Sequence, residues 1–221
     1  MNDYKEPISK LKNAVNDANA IAAALEQRGF NTTKGTDLGR RELNDIISAF
    51  CDCVKRTNSK APSLKAFNIG KKKKIVLVFY AGHGMQAEGE NYIIPIDAII
   101  KKESDIADES ISLTRILERI AKEIKPAATI VILDACRNNP FGASRSVTLS
   151  RSGLAEMRDI KIVEAGSSDD DYGTFIMFAT APNDVADDGD SGNGLFTQHL
   201  LQQLSDASKT TSADQIAKDV A

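Results

Sequence analysis

Two short stretches of this chain carry side chains that could do chemistry together. Residues 75–84 read IVLVFYAGHG and stop on His83 between two glycines, and residues 130–138 read IVILDACRN and run into Cys136. A strand that feeds a histidine between glycines leaves the imidazole at an edge with close-approaching backbone beside it. Sites in parallel sheets form at the carboxyl ends of the strands, so two neighbouring strands of this kind would present both side chains at one rim. A thiolate attacks a carbonyl carbon well, but a free thiol ionises only near pH ~8.5. A nearby imidazole is therefore needed to take its proton and later hand one to a leaving amine. The backbone N–H groups of Gly84 and Cys136 are the natural donors to the oxyanion that forms in between. A lone Cys or a lone His is usually structural; two matching strand-end motifs reverse that expectation.

The elements that must position these residues are legible from periodicity. Residues 13–28 place Val15, Ala18, Ile21, Ala22 and Leu25 at helical spacing and end near Gly29. FNTTKGTDL reads as a short strand and turn, and residues 38–56 as a second helix with Leu43, Ile46, Ile47, Phe50 and Val54 on one face. Cys51 and Cys53 lie two apart there and cannot share a face. Residues 84–90 read as a long, partly acidic loop, followed by the short extended segment NYIIPID. SISLTRILERIAKEI is a helix, ATIVILDAC and TFIMFATA are strands, GLFTQHLLQQLS is a helix, and TSADQIAKDVA starts another. Residues 143–173 are long, polar and rich in basic and small residues, which predicts a mobile loop. Strands alternating with helices predict an α/β fold, a mostly parallel sheet with helices on both faces.

Composition removes several classes of function. The 221 residues suit one domain with a substantial core. With 28 basic and 31 acidic residues the net charge is −3, which gives no electrostatic reason to expect nucleic acid or an anionic membrane as partner. Three cysteines without metal-type spacing predict neither a disulfide framework nor a zinc site. GKKKK is no phosphate loop, because its register puts Lys65 where the first glycine belongs and no Ser or Thr follows the lysine. DVADDGDSGNG reads as a solvated turn. The absence of a basic start and apolar run predicts a cytoplasmic chain, although a missing N-terminus would hide a signal.

FYAGHG together with LDACRNN resembles the caspase and metacaspase superfamily of cysteine peptidases, especially its bacterial caspase-like branch. His83 precedes Cys136 by 53 residues, and LKNAVNDANAIAAALEQRGF, NYIIPIDA, GTFIMFATAP and NGLFTQHLL extend the resemblance over nearly the whole chain. The resemblance implies a three-layer caspase-like fold and a cysteine endopeptidase working through His83 and Cys136. Caspases carry Gln two residues before the nucleophile, where this chain has Asp134; a carboxylate there favours Arg or Lys before the scissile bond over an acidic residue. The family pattern adds Asp17 and Asp108 to that substrate pocket. It also offers Asp97, Asp108 and Glu109 as calcium candidates, too few for the six to eight oxygens that calcium takes, so no cofactor is expected to be required. Arg145, Arg151, Arg158 and Lys161 are candidate self-cleavage sites in the predicted mobile loop.

Against the family, residues 1–221 are expected to form a single peptidase domain that lacks the first strand and the final strand. An exposed sheet edge would follow. Ala81 stands where many metacaspases have a serine. The expected partners are protein or peptide substrates, with a fused or associated regulatory domain; no nucleic acid and no membrane is expected. The alternative is an inactive caspase-like module that binds partners or acts as a scaffold. A nucleotide-binding regulator fails for want of a glycine-rich turn after an early strand.

Overall fold

The computed structural model of the chain describes residues 1–56, 74–135, 173–179 and 192–206. Helices α1 (Ala14–Gln27) and α2 (Arg40–Arg56) precede β1 (Ile75–Gly82). Then follow β2 (Gly84–Ala87), β3 (Glu90–Ile93), α3 (Asp105–Glu109), β4 (Ile111–Ser112), α4 (Leu113–Ile124), β5 (Ala128–Ala135), β6 (Gly173–Phe178) and α5 (Leu195–Asp206). The principal sheet is parallel in the order β1-β5-β6, and a small antiparallel sheet has the order β2-β3-β4.

Side-chain alternation along the strands sorts the core into two halves. Val76 and Tyr80 of β1, Val131, Leu133 and Ala135 of β5 and Ile176 of β6 join the face covered by α2 and α4. Leu77, Phe79, Ile130, Ile132 and Met177 point the other way, against Ile21 and Leu25 of α1 and Leu200 of α5. The result is three layers, helices on both faces of a parallel sheet, as the alternation of elements predicts.

Helix α4 shows why the local sequence chooses its boundaries. Leu113, Ile116, Ile120 and Ile124 recur at helical spacing and are all buried. The Ser112 hydroxyl accepts from Arg115 N at 3.1 Å, and Glu90 accepts from Thr114 N, so orphan amides of the first turn are satisfied. Lys125 closes the helix in the left-handed region, and Pro126 cannot continue it.

Three expectations change. The glycine-flanked histidine opens into no loop: β2 and β3 form a hairpin whose turn residues Glu88 and Gly89 both have positive φ (51° and 78°), the geometry of a two-residue turn. Polar Gln86, Glu88 and Glu90 disguise it, because a half-exposed hairpin has little apolar signal. Residues 30–38 form no strand, with no ladder partner among the described residues. Helix α1 buries Ile21 and Leu25 as predicted, but its other buried positions are Ala14 and Asp17, while Val15, Ala18 and Ala22 are half-buried. Of the loop predicted at residues 143–173, Gly173 opens β6 and the rest lies outside the described residues, as does the predicted terminal helix.

β1 has β5 on one side. Lys74 O accepts from Ala127 N toward β5, so alternation turns the Ala81 carbonyl to the opposite edge, where the Met1 amino group donates to it at 2.7 Å.

The two helix cysteines divide as their spacing requires, Cys51 buried and Cys53 exposed. Burial first, and then the Glu123 carboxylate, push the Cys51 thiol above its ordinary range, against the opposing pull of Arg119 and Lys55. The folded state thus favours the neutral thiol. That stabilisation is complete below the ordinary thiol pKa and is lost as pH rises toward the raised value. Native-state labelling with a thiol reagent at neutral pH is expected to modify Cys53 rapidly and Cys51 only on unfolding, with the Cys51 contribution to stability declining in alkali.

Candidate active site

The register of the principal sheet sets the rim. Gly82 pairs with Ala135 and Ala81 with Asp134, so β1 and β5 end level with each other. The next residues along the chain are His83 and Cys136. Cys136 itself lies outside the described residues, as do Arg145, Arg151, Arg158 and Lys161.

His83 is held by the N-terminal segment. Its Nε2 lies 2.8 Å from the Ser9 carbonyl, and its ring meets that of Tyr4 edge-on at a centroid distance of 4.6 Å. A carbonyl oxygen can only accept, so Nε2 carries the hydrogen, and in the neutral imidazole Nδ1 is left as the basic nitrogen. The segment bearing Ser9 is closed by Asn2, whose side chain donates to Lys12 O at 2.8 Å and accepts from Val15 N at 3.0 Å. The second contact also caps α1, whose own cap residue Asn13 makes no side-chain cap bond.

The ladder also sets the direction of the Gly84 N–H. Ile94 N donates to His83 O at 3.1 Å, which makes 83–94 a bonded position of the β2–β3 ladder. Bonded and non-bonded pairs alternate in an antiparallel ladder, so the next pair, Gly84 with Ile93, is non-bonded and the Gly84 N–H is directed away from β3.

On the other face of β5 two carboxylates converge on the start of α5. Asp17 is 3 % exposed and accepts from Asn193 Nδ2 at 2.8 Å and from Gly194 N at 2.9 Å. Asp134 is 8 % exposed and accepts from the fully buried Thr197 hydroxyl at 2.6 Å. Gly194 and Thr197 flank the first turn of α5, where amides without helical partners favour negative charge. Sequence reasoning named both acids and missed Asn193, Thr197, Ser9 and Tyr4. NGLFT enters the sequence reading only as family resemblance, and no periodicity there or in residues 1–9 marks a polar partner.

Asp108 stands apart from this linkage, exposed on α3. Of the calcium candidates, Asp97 accepts from Arg40 N at 2.8 Å at the start of α2, and Glu109 accepts from Ile99 N at 3.2 Å. Both carboxylates thus brace backbone, and no three His, Cys, Asp or Glu side chains cluster as a metal site among the described residues. No described helix is long and apolar enough to cross a membrane.

The sequence profile of the family described as the caspase domain matches residues 1–221. The chain belongs to the caspase domain family. No curated protein matches it closely enough to count as a relative. Membership brings the caspase domain within a superfamily of cysteine peptidases, and it agrees with the three-layer arrangement and with the level ends of β1 and β5. The acid at position 134 distinguishes this caspase domain from the glutamine-bearing pattern, and the structure gives it the buried hydroxyl of Thr197 as support.

Proposed function

We propose that this caspase domain is a cysteine endopeptidase that hydrolyses peptide bonds after Arg or Lys through His83 and Cys136. The observation that carries the reading is the pairing of Gly82 with Ala135, one residue before each member of the dyad. His83 Nδ1 takes the thiol proton, and the thiolate attacks the scissile carbonyl carbon. The Gly84 and Cys136 N–H groups receive the oxyanion. The imidazolium then gives its proton to the leaving amine as the C–N bond breaks, leaving a thioester. Water, deprotonated by His83, attacks the thioester, and expulsion of the thiol releases the carboxylate product. The Ser9 carbonyl keeps the proton on Nε2 throughout and steadies the imidazolium.

Specificity follows from Asp17 and Asp134, two acids set around the start of α5. Desolvated carboxylates attract a guanidinium or ammonium and repel an acidic side chain. Asp108 would join them only from a separate element, and no calcium ion is assigned a part in the chemistry.

The test is hydrolysis of fluorogenic peptides ending in Arg, Lys or Asp, with and without calcium, using Cys136→Ala as the control. Cysteine-dependent release after Arg and Lys is expected; release after Asp would refute the acidic pocket. The absence of any turnover would favour the inactive binding module instead. A second expected outcome is read on a gel: the wild-type chain is nicked at one or more of Arg145, Arg151, Arg158 and Lys161 on storage, whereas Cys136→Ala stays intact.

A further inference from the structure

The hydroxyls of Tyr4 and Tyr80 meet 3.2 Å apart in a buried position beside His83. Tyr4 arrives from the N-terminal segment and Tyr80 from β1. The His83 N–H donates to the Tyr4 oxygen at 2.8 Å, and the Tyr80 hydroxyl donates to the His83 carbonyl at 2.7 Å. An amide N–H can only donate and a carbonyl can only accept. Tyr80 thus spends its hydrogen on His83, with the Ile94 carbonyl sharing it at 3.2 Å, and the Tyr4 hydroxyl is left to donate to the Tyr80 oxygen. Three hydrogen bonds form a closed ring through both backbone polar groups of His83.

The ring replaces half of a ladder pair. In a bonded antiparallel pair the two residues exchange both N–H···O bonds. Here only Ile94 N to His83 O is made directly, while the His83 N–H and the Ile94 carbonyl each go to a tyrosine hydroxyl. Gly82 makes room for this. Its φ is +154°, and a Cβ there would lie 2.5 Å from the Tyr4 hydroxyl and 2.6 Å from that of Tyr80. The Tyr4 ring also abuts the imidazole. A ring anchored at its hydroxyl and packed against the histidine restricts backbone and side chain together.

We infer that Tyr4 and Tyr80 are positioning residues: their hydroxyl pair fixes the backbone of His83 and with it the direction in which the imidazole leaves β1. The inference rests on the reading of His83 as the catalytic base. Both hydroxyls bond the backbone of His83. Their effect is transmitted through where Nδ1 sits, and a misplacement of about 1 Å can cost about 100-fold in rate.

The experiment uses Tyr4→Phe, Tyr80→Phe and the double variant, which keep the rings and remove only the hydroxyls, and Gly82→Ala, which pushes the hydroxyls aside. Thermal midpoints establish that each variant folds. Hydrolysis of the fluorogenic Arg peptide is expected to fall between about 10-fold and 100-fold in kcat, with KM nearly unchanged and a displaced pH profile. The double variant should be little worse than either single, because breaking one bond opens the ring. The chain has only two histidines, so imidazole NMR resonances read His83 against His199 without any substrate. Those of His83 are expected to shift and change their titration midpoint in the Phe variants while those of His199 stay put. Unchanged His83 resonances, or a fall in rate that merely follows the thermal midpoint, would overturn the inference. Shifted His83 resonances in the Phe variants, together with a wild-type chain that cleaves no peptide, would leave the clamp standing and remove the peptidase reading alone.

Discussion

His83→Ala and Cys136→Ala are each expected to lower the rate of Arg-peptide hydrolysis by at least roughly 10³-fold, and the double variant to be no slower than the slower single. A thiol without its base stays protonated at neutral pH, and a base without its thiol has no nucleophile to activate, so the two losses do not add. The measurement is kcat for the three variants on one peptide, beside their thermal midpoints. Folding is expected to survive His83→Ala, since the change removes the Nε2 contact with Ser9 and the edge contact with Tyr4 but leaves the backbone bonds of His83 to both tyrosines and to Ile94 in place. Two small, additive losses of rate would instead mean that neither side chain takes part in the chemistry. An exogenous imidazole that restores part of the activity to His83→Ala, and none to Cys136→Ala, would separate the roles of base and nucleophile.

The layered core was readable because its signals are strong and redundant. IVLVFY and IVIL are continuous apolar runs of strand length, rich in β-branched residues, and α2 and α4 repeat their apolar residues at helical spacing. Glycine on both sides of His83 and a second strand running toward Cys136 mark one rim in the sequence, and the pairing of Gly82 with Ala135 makes the two strand ends level. What periodicity cannot carry is a contact between distant polar groups. Asp17 sits on the buried face of α1, where spacing alone favoured Ala18, because its carboxylate satisfies the start of α5 across 177 positions of sequence. Ser9 serves His83 through a carbonyl, an atom every residue possesses, so nothing in its identity marks it. The β2–β3 hairpin escaped because its exposed residues are polar and its turn opens on a glutamate rather than the asparagine or aspartate that would have announced it. Tyr80 lies within the apolar run IVLVFY and nothing in the sequence around Tyr4 marks it, so their hydroxyl pairing exists only where the N-terminal segment meets β1 in space.

The short helix α5 ties specificity to the fold. Its first turn is gripped by Asp17 from one layer and by Asp134 from the sheet, so the acids proposed to recognise substrate also hold the helix in place. Separating these duties requires a change that removes charge and keeps shape. Asp134→Asn does so, because the amide oxygen can still accept from the Thr197 hydroxyl. Removing one partner of a buried charge pair costs about 2–4 kcal/mol, which is about 30-fold to 1000-fold in kcat/KM for an Arg peptide. A citrulline peptide, neutral but nearly the shape of arginine, should lose far less, and the thermal midpoint should move little. Asp17→Asn should behave differently: it leaves Gly194 N with a neutral acceptor at the positive end of α5, so stability falls along with Arg cleavage. If Asp134→Asn weakens Arg and citrulline peptides equally, the carboxylate supports α5 and does not read substrate charge. If the two part company by the expected factor while the midpoint holds, charge recognition and helix anchoring are carried by the same side chain through different atoms' worth of interaction.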